Sequence, residues 1–358
     1  MKEIGIAVVG LGSIARTHIS ALRALPAVRN SPIRPVLRTL LTRRPDEVAA
    51  EAAAMGFDRV TASLTEVLAD PSVDVIDVCT PNVLHAPVVL AALAAGKGVY
   101  CEKPLASCAA DAEQMAAAAA GATDCCTQVA LVYRYHPVVM KMKALLELGV
   151  IGQVLQFKAT YNHSGYLNPS TVKGWRTQGA LSGGGGLLDL GVHIIDLLHL
   201  LVGPLELEHS TVRTLVGRRL MAPGGELQPV DVDDWALLHV HTPAGVPGVV
   251  ETSRVALGNE QQTIELYGSQ GSIIANLERD LEPRVQLFNG SVPALPAPAA
   301  LQFLPQGRLS LGGFVDRHQA CLYHYLLRCA GQDPAPGWAP TFADELNAER
   351  LVYQALAK

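Results

Sequence analysis

No basic cluster marks this 358-residue sequence, and its formal net charge is -5, so it carries no electrostatic footprint for nucleic acid or for an anionic membrane surface. Paired cysteine spacing is missing too. The seven cysteines, at positions 79, 101, 108, 125, 126, 321 and 329, are scattered, which argues against a patterned zinc site and fits a reduced, cytoplasmic setting. No apolar stretch is expected to reach membrane-spanning length, because Ile194 to Val202 is interrupted by Asp196 and His199. Met1-Lys2-Glu3 runs straight into the apolar Ile4 to Val9 and leaves no room for a secretion leader. The expectation is a chain that is neither exported nor membrane-bound.

What is present is enough chain for two domains, each with its own core. The first third alternates short β-branched runs, such as Ile4 to Val9, Val75 to Cys79 and Val99 to Cys101, with Ala-rich helical patterns. That alternation predicts βαβ units on a parallel sheet. From about Gln153 the segments alternate apolar and polar residues instead, as in Val154 to Tyr161, Trp235 to Val240 and Gln262 to Tyr267, which predicts a large, open, mainly antiparallel sheet. The predicted fold class is α/β: an amino-terminal Rossmann domain over residues 1–132, then an α+β substrate-binding and oligomerisation domain over 133–358. The Pro- and Gly-rich stretches Ala222 to Pro229 and Pro293 to Pro305 are expected to run over the surface.

Gly10-Leu11-Gly12-Ser13-Ile14-Ala15 reads G-x-G-x-x-A, directly after a predicted strand and opening a predicted helix. Gly10 permits a tight turn, Gly12 lets the backbone approach a pyrophosphate, and Ala15 allows close packing of helix on strand. The helix amino terminus then offers free N–H groups to the anion. Between Ile4 and Pro45 the sequence contains no carboxylate, and the second strand ends at Leu41-Thr42-Arg43-Arg44. A free ribose 2′-hydroxyl wants an acid there, whereas a 2′-phosphate wants a small polar group and arginine, so Thr42, Arg43 and Arg44 favour NADP(H) over NAD(H). A merely solvated loop is the alternative for these arginines.

Glu102-Lys103-Pro104 follows a short strand at the sheet edge where ligands sit in open α/β folds. Pro104 restricts the backbone of Lys103. In the second domain, Gly183 to Gly186 leads into a helix carrying Asp189, His193 and Asp196 at i, i+4 and i+7, which puts all three on one face. A core histidine held by an acid remains the alternative reading of His193, as an exposed turn lysine does for Lys103.

Together with Thr80-Pro81-Asn82 and His85, these motifs resemble those of the Gfo/Idh/MocA family of glucose-fructose oxidoreductase, inositol dehydrogenase and rhizopine-catabolism proteins. Tyr133-Arg134-Tyr135-His136-Pro137, Trp175-Arg176, Glu251-Thr252-Ser253-Arg254 and Tyr267 to Ser272 extend the resemblance, in order, over nearly the whole chain. The resemblance implies a dehydrogenase acting on sugars, cyclitols or their derivatives with NAD(H) or NADP(H). It implies that Glu102 and Lys103 meet the nicotinamide side of the site, that Thr80, Pro81, Asn82 and His85 flank the cofactor, and that the protein is a homodimer or homotetramer. Two departures stand out: Thr42 and Arg43 replace the acid of many relatives, and four consecutive glycines make the approach to Asp189 unusually loose.

The chemistry expected of these residues is hydride transfer with His193 as general acid/base. Lys103 bonds the same substrate oxygen, and Asp189 orients the imidazole or accepts a substrate hydroxyl. Tyr161, Asn162, His163, Tyr166, Trp175 and Arg176 offer aromatic faces and hydrogen-bonding groups suited to a polyhydroxylated ring, with ordinary loop and core roles open for each. Competing functions are an NAD-dependent glycosidase of the same fold and a non-catalytic nucleotide-binding sensor. No metal site is expected, since His199 lies six residues past His193 and points elsewhere.

Overall fold

A computed structural model describes residues 1–172, 174–294, 297–305 and 307–357, in which the chain divides into two compact units. The first comprises Met1–Ala106, Ala110–Tyr135 and Ala299–Ala343, and the second Ser107–Ala109, His136–Pro298 and Asp344–Lys358. The expected single division after residue 132 therefore catches only one of the crossings. The helices in chain order are α1 (Ser13–Val28), α2 (Pro45–Met55), α3 (Leu64–Ala69), α4 (His85–Ala94), α5 (Ala109–Gly121), α6 (Pro137–Glu147), α7 (Gly179–Ser182), α8 (Val192–Val202), α9 (Gly313–Cys329) and α10 (Phe342–Leu356).

The first unit is built on strands β1 (Lys2–Val9), β2 (Ile33–Leu41), β3 (Arg59–Thr61), β4 (Val75–Val78), β5 (Gly98–Cys101) and β6 (Thr127–Val129). All neighbours are parallel, in the order β3-β2-β1-β4-β5-β6. Strands covered on both faces must be apolar throughout, and β1 is buried from Ile4 to Val9 without alternation. Ala15, His18, Ile19, Leu22 and Leu25 form the buried stripe of α1, at the spacing of one helical face. Helix α2 starts with Pro45 and two acids in its first turn and stops at Gly56, whose φ is 90°. Strand order reverses between β1 and β4, so Gly10, Thr80 and Glu102 follow β1, β4 and β5 at the carboxyl edge where such sheets bind ligands. Helix α9 closes this unit by packing along α1, which its apolar face explains: Ala320, Leu322, Tyr325 and Leu326 are buried.

The second unit carries β7 (Val154–Asn162), β8 (Glu206–Arg213), a small ribbon of β9 (Arg218–Leu220) and β10 (Leu227–Pro229), then β11 (Trp235–His241), β12 (Pro247–Ser253), β13 (Gln261–Gly268), β14 (Gly271–Asn276) and β15 (Arg284–Leu287). The main sheet runs β15-β14-β13-β7-β12-β11-β8, and only β7 and β12 pair in parallel. Burial alternates along β11 and β13, so one face is core. Helix α8 and the turn before it cover that face over β7 and β12, with α6 packed on α8.

Two expectations are corrected here. The helical run Gly179–Val202 is long and apolar enough to span a membrane by composition, with mean hydropathy 1.6, despite Asp196 and His199. Its apolarity serves the core, since 78% of its most apolar window is buried. The stretch 293–305 is not wholly superficial either. Leu295 and Pro296 lie outside the described residues, but Ala300 and Phe303 are buried and the Phe303 ring stacks on His324 with centroids 4.1 Å apart.

Candidate active site

Strand β1 delivers the chain to Gly10, whose φ is 96° and whose N–H donates to the Leu41 carbonyl at 2.9 Å. A Cβ on Gly10 would lie 2.8 Å from the Cys79 carbonyl oxygen, so β4 enforces the glycine. Gly12 is constrained differently: nothing of the protein lies within 4 Å of its Cβ position. Helix α1 begins there with no side-chain cap and no acid in its first turn, leaving that turn's N–H groups for an outside anion. Ser13 is exposed, Leu11 and Ile14 are half-buried, and Ala15 is buried against the sheet. The Thr80 hydroxyl, just past β4, is buried without a hydrogen-bond partner. A glycine left open, an uncapped helix and an orphaned hydroxyl fit a dinucleotide.

Register settles where the arginines stand. Val9 of β1 pairs with Leu41 of β2, so Thr42, Arg43 and Arg44 are the first residues past the strand, beside Gly10. The Thr42 N–H donates to the Thr61 carbonyl at 3.0 Å. Arg44 pairs with Glu47 at 3.0 Å, both largely exposed, whereas exposed Arg43 makes no ion pair among the described residues.

His85 has a different role from the one expected. It is fully buried, with Nε2 2.9 Å from the Thr80 carbonyl oxygen and Nδ1 2.9 and 3.2 Å from the Pro104 and Leu105 carbonyl oxygens. Burial pushes its pKa down, and the carbonyls pull it back only in part. The ring buckles the Thr80 segment to the segment after Lys103 and has no edge left for a ligand. Pro81 precedes a single 3-10 turn over Asn82–Leu84, and Asn82 is buried.

Glu102 also turns inward. Its carboxylate lies 3.0 Å from His18 Nε2, and its N–H donates to the Val78 carbonyl at 3.0 Å. The other ring nitrogen of His18 sits 3.0 and 3.1 Å from the two Asp77 oxygens. Burial opposes a charge on His18, but the Asp77 carboxylate and the Cys79 sulfur overcome it and hold the ring's pKa well above the usual histidine value. Lys103, half-buried, follows Glu102, and its peptide bond to Pro104 is cis.

In the second unit the four glycines are close-packed rather than loose. A Cβ on Gly183 would lie 2.0 Å from the Ser107 carbonyl oxygen, and one on Gly185 2.0 Å from that of Asp233. Asp233 fastens the run: its two carboxylate oxygens accept from Gly185 N–H at 2.8 Å and Leu187 N–H at 2.7 Å, and its carbonyl accepts from Gly186 N–H at 2.9 Å. Burial pushes the Asp233 pKa up, against those backbone donors. Arg254, from the matched Glu251 to Arg254 motif, donates to the Asp233 carbonyl at 2.7 Å and is fully buried.

Leu187–Gly191 is a π-helical turn, with α8 starting at Val192. Hydrogen bonds to the fifth residue widen this turn, so the regular i, i+4 register expected between Asp189 and His193 is broken. Asp189 is half-buried in the π turn, His193 is 7% exposed in the first turn of α8, and Asp196 at 1% belongs to the core. Such π turns recur at functional sites.

Tyr161, at the end of β7, is brought to His193 with ring centroids 6.4 Å apart, and His163 lies equally far from Tyr161. Asn162 is buried. Tyr166 is instead a structural ring, stacked under the Arg254 guanidinium at 4.2 Å. Trp175 and Arg176 share a 3-10 turn and stack on each other at 4.5 Å.

Sequence reading missed the His18–Asp77–Glu102 cluster and the Asp233–Asp234 pair. A signal existed for both: His18 falls on the apolar stripe of α1, Asp77 is the lone acid of β4, and two adjacent acids precede Trp235.

Comparison with known proteins agrees with this geometry. The profile "Oxidoreductase family, NAD-binding Rossmann fold" matches residues 4–130, and "GFO/IDH/MocA C-terminal domain" matches 139–274. Levoglucosan dehydrogenase of Pseudarthrobacter phenanthrenivorans is 32% identical over 299 residues, covering 80% of this chain and 76% of that protein. Among solved structures, a levoglucosan dehydrogenase in complex with NADH and levoglucosan superposes with a TM-score of 0.84 at 29% identity, covering 99% of this chain and 98% of the other. An NAD-binding oxidoreductase from Klebsiella pneumoniae reaches a TM-score of 0.87 at 28% identity, covering 99% and 96%. Two family models that together span residues 4–130 and 139–274, and a relative 32% identical over 80% of the chain, settle the lineage: this chain belongs to the Gfo/Idh/MocA family of oxidoreductases.

Proposed function

We propose that this oxidoreductase interconverts a hydroxyl and a keto group on a sugar, cyclitol or sugar derivative, with Lys103 and His193 serving the reacting oxygen. One observation carries the reading: Gly10 to Ala15, Thr80 and Lys103 all stand at the carboxyl edge of a single parallel sheet, which is the nucleotide edge of such folds. When bound, the nicotinamide accepts or supplies the hydride. His193 moves the hydroxyl proton, and the Lys103 ammonium stabilises charge developing on that oxygen. Asp189 orients the imidazole or holds a neighbouring hydroxyl. Tyr161, beside His193, and the Trp175–Arg176 pair supply faces for a polyhydroxylated ring.

NADP(H) is the cofactor we favour, because Thr42, Arg43 and Arg44 follow β2 at the ribose position with no acid among them, and Arg43 is left to meet a 2′-phosphate. The levoglucosan dehydrogenase structure named above holds NADH, so the test is direct. NADPH and NADH are titrated by cofactor fluorescence, and levoglucosan, myo-inositol and D-glucose are screened for change in nicotinamide absorbance. Lys103→Ala and His193→Ala should each lower kcat about 10²- to 10⁴-fold, the range of general acid–base catalysis, with nucleotide Kd nearly unchanged. Full activity in either variant overturns its role. Tighter NADH than NADPH binding overturns the cofactor preference.

A further inference from the structure

We propose that His18 and Glu102 are a positioning pair that ties the phosphate-binding end of α1 to Lys103, so that the nucleotide loop and the lysine are held as one unit. This rests on the reading of Lys103 as catalytic. The cluster gathers four elements of the first unit: His18 from α1, Asp77 from β4, Glu102 from the residue after β5, and His318 from α9. His18 is fully buried, with Asp77 hydrogen-bonded to Nδ1 at 3.0 and 3.1 Å and His318 Nδ1 at 3.2 Å from Nε2, while the Glu102 carboxylate lies 3.0 Å from Nε2 as an ion-pair contact without hydrogen-bond alignment. Cys79 adds its sulfur 3.3 Å from Nδ1.

Stability alone does not account for this arrangement. Burying three ionisable groups costs several kcal/mol each before pairing, and well-packed apolar residues of similar volume usually serve a core as well or better. What the charged version adds is direction. A ring bonded to Asp77 on one nitrogen and to His318 on the other has one orientation, and its charge draws the Glu102 carboxylate to 3.0 Å. Glu102 is the residue before Lys103. On the other side, His85 grips the Pro104 and Leu105 carbonyls at 2.9 and 3.2 Å. Lys103 is therefore clamped from both flanks, and the upstream clamp is anchored one and a half turns past the point where α1 meets the phosphate loop.

A lysine displaced by about 1 Å loses on the order of 10²-fold in rate, which sets the expected effect. Glu102→Gln and His18→Asn should each lower kcat about 10- to 100-fold on whichever of levoglucosan, myo-inositol or D-glucose is turned over. KM and the NADH and NADPH Kd should move little, and the kcat loss should stand at a pH and temperature where urea denaturation shows each variant fully folded. The double variant should be no worse than the stronger single one, as coupled residues behave. Glu102→Asp, which keeps the charge, should recover part of the loss. A substrate-independent readout is the ¹³C-methyl signal of reductively methylated Lys103, assigned with Lys103→Arg. NADH should shift it in the wild type and shift it less than half as far in Glu102→Gln. If Glu102→Gln does not fold, Asp77→Asn loosens the same ring from its other nitrogen.

Additive losses, a kcat loss that tracks loss of stability, or an undiminished NADH response overturns the positioning role. Lys103→Ala is assayed in parallel. If it abolishes turnover while the His18 and Glu102 variants stay within twofold of wild type, only the positioning role fails; if it remains active, the catalytic reading fails as well.

Discussion

Replacing Asp233 should unfasten the entry to the π turn, and the cost can be worked from its contacts. Its carboxylate accepts the Gly185 and Leu187 N–H groups at 2.8 and 2.7 Å in a buried setting. Hydrogen bonds to a charged group contribute about 1.5–3 kcal/mol each, and with Asp233 buried the orphaned donors would lose their nearest acceptors. Relief from burying the charge, the same effect that pushes the Asp233 pKa up, offsets part of that. The net expectation for Asp233→Ala is about 2–4 kcal/mol, a 30- to 1,000-fold loss in the folding constant. Asp233→Asn keeps one oxygen but turns an amide N–H toward the second donor, so it should cost about 2 kcal/mol. Urea denaturation followed by circular dichroism measures both, and kcat should fall alongside, because the same bonds seat the turn that carries Asp189. An unchanged midpoint in Asp233→Ala would refute the fastening role.

Three further expectations follow from buried charge and close backbone packing. Asp234→Ala strands Arg219, paired at 2.8 Å with both side chains fully buried, and should destabilise by about 3–5 kcal/mol in the same urea assay; a loss under 1 kcal/mol would contradict it. Since the folded His18 pKa is raised, its contribution to stability is complete below the unfolded value of about 6.5 and is lost as pH rises through the folded value. The stability gap between wild type and His18→Asn should accordingly narrow from pH 6 upward, and a constant gap would show that the ring does not carry the charge. Gly185→Ala places a Cβ 2.0 Å from a carbonyl oxygen and should cost at least about 1–3 kcal/mol, read from the thermal midpoint.

Much of the fold was legible because periodicity and glycine chemistry are local. The runs Ile4 to Val9, Val75 to Cys79 and Val99 to Cys101 form parallel strands where pattern places them. Strand β3 is three residues long, too short to show a period, and β8 alternates charged with half-buried residues at a sheet edge. What sequence could not show was tertiary. The G-x-G-x-x-A loop carries its own conformational requirements, but whether Glu102 faces a ligand or the interior depends on His18, which is itself held by partners 59 and 300 residues away, and His85 is turned inward by carbonyls that only the folded Thr80 and Pro104 segments bring to it. The π turn was equally hidden, because Leu187 to Gly191 has ordinary helical composition and the Asp233 carboxylate that meets its first N–H lies 46 residues away.

Because Ala299–Ala343 belongs to the first unit, a growing polypeptide cannot finish its nucleotide half in order of synthesis. Gln319 reaches the Ala21 carbonyl at 3.0 Å, Gln128 reaches that of Cys321 at 2.9 Å, and Tyr325 meets that of Cys126 at 3.1 Å, so the early strands and α1 wait for a helix made about three hundred residues after α1. Nascent chains stalled before residue 299 should stay protease-sensitive between Met1 and Tyr135 and bind no nucleotide until residues 299–343 emerge.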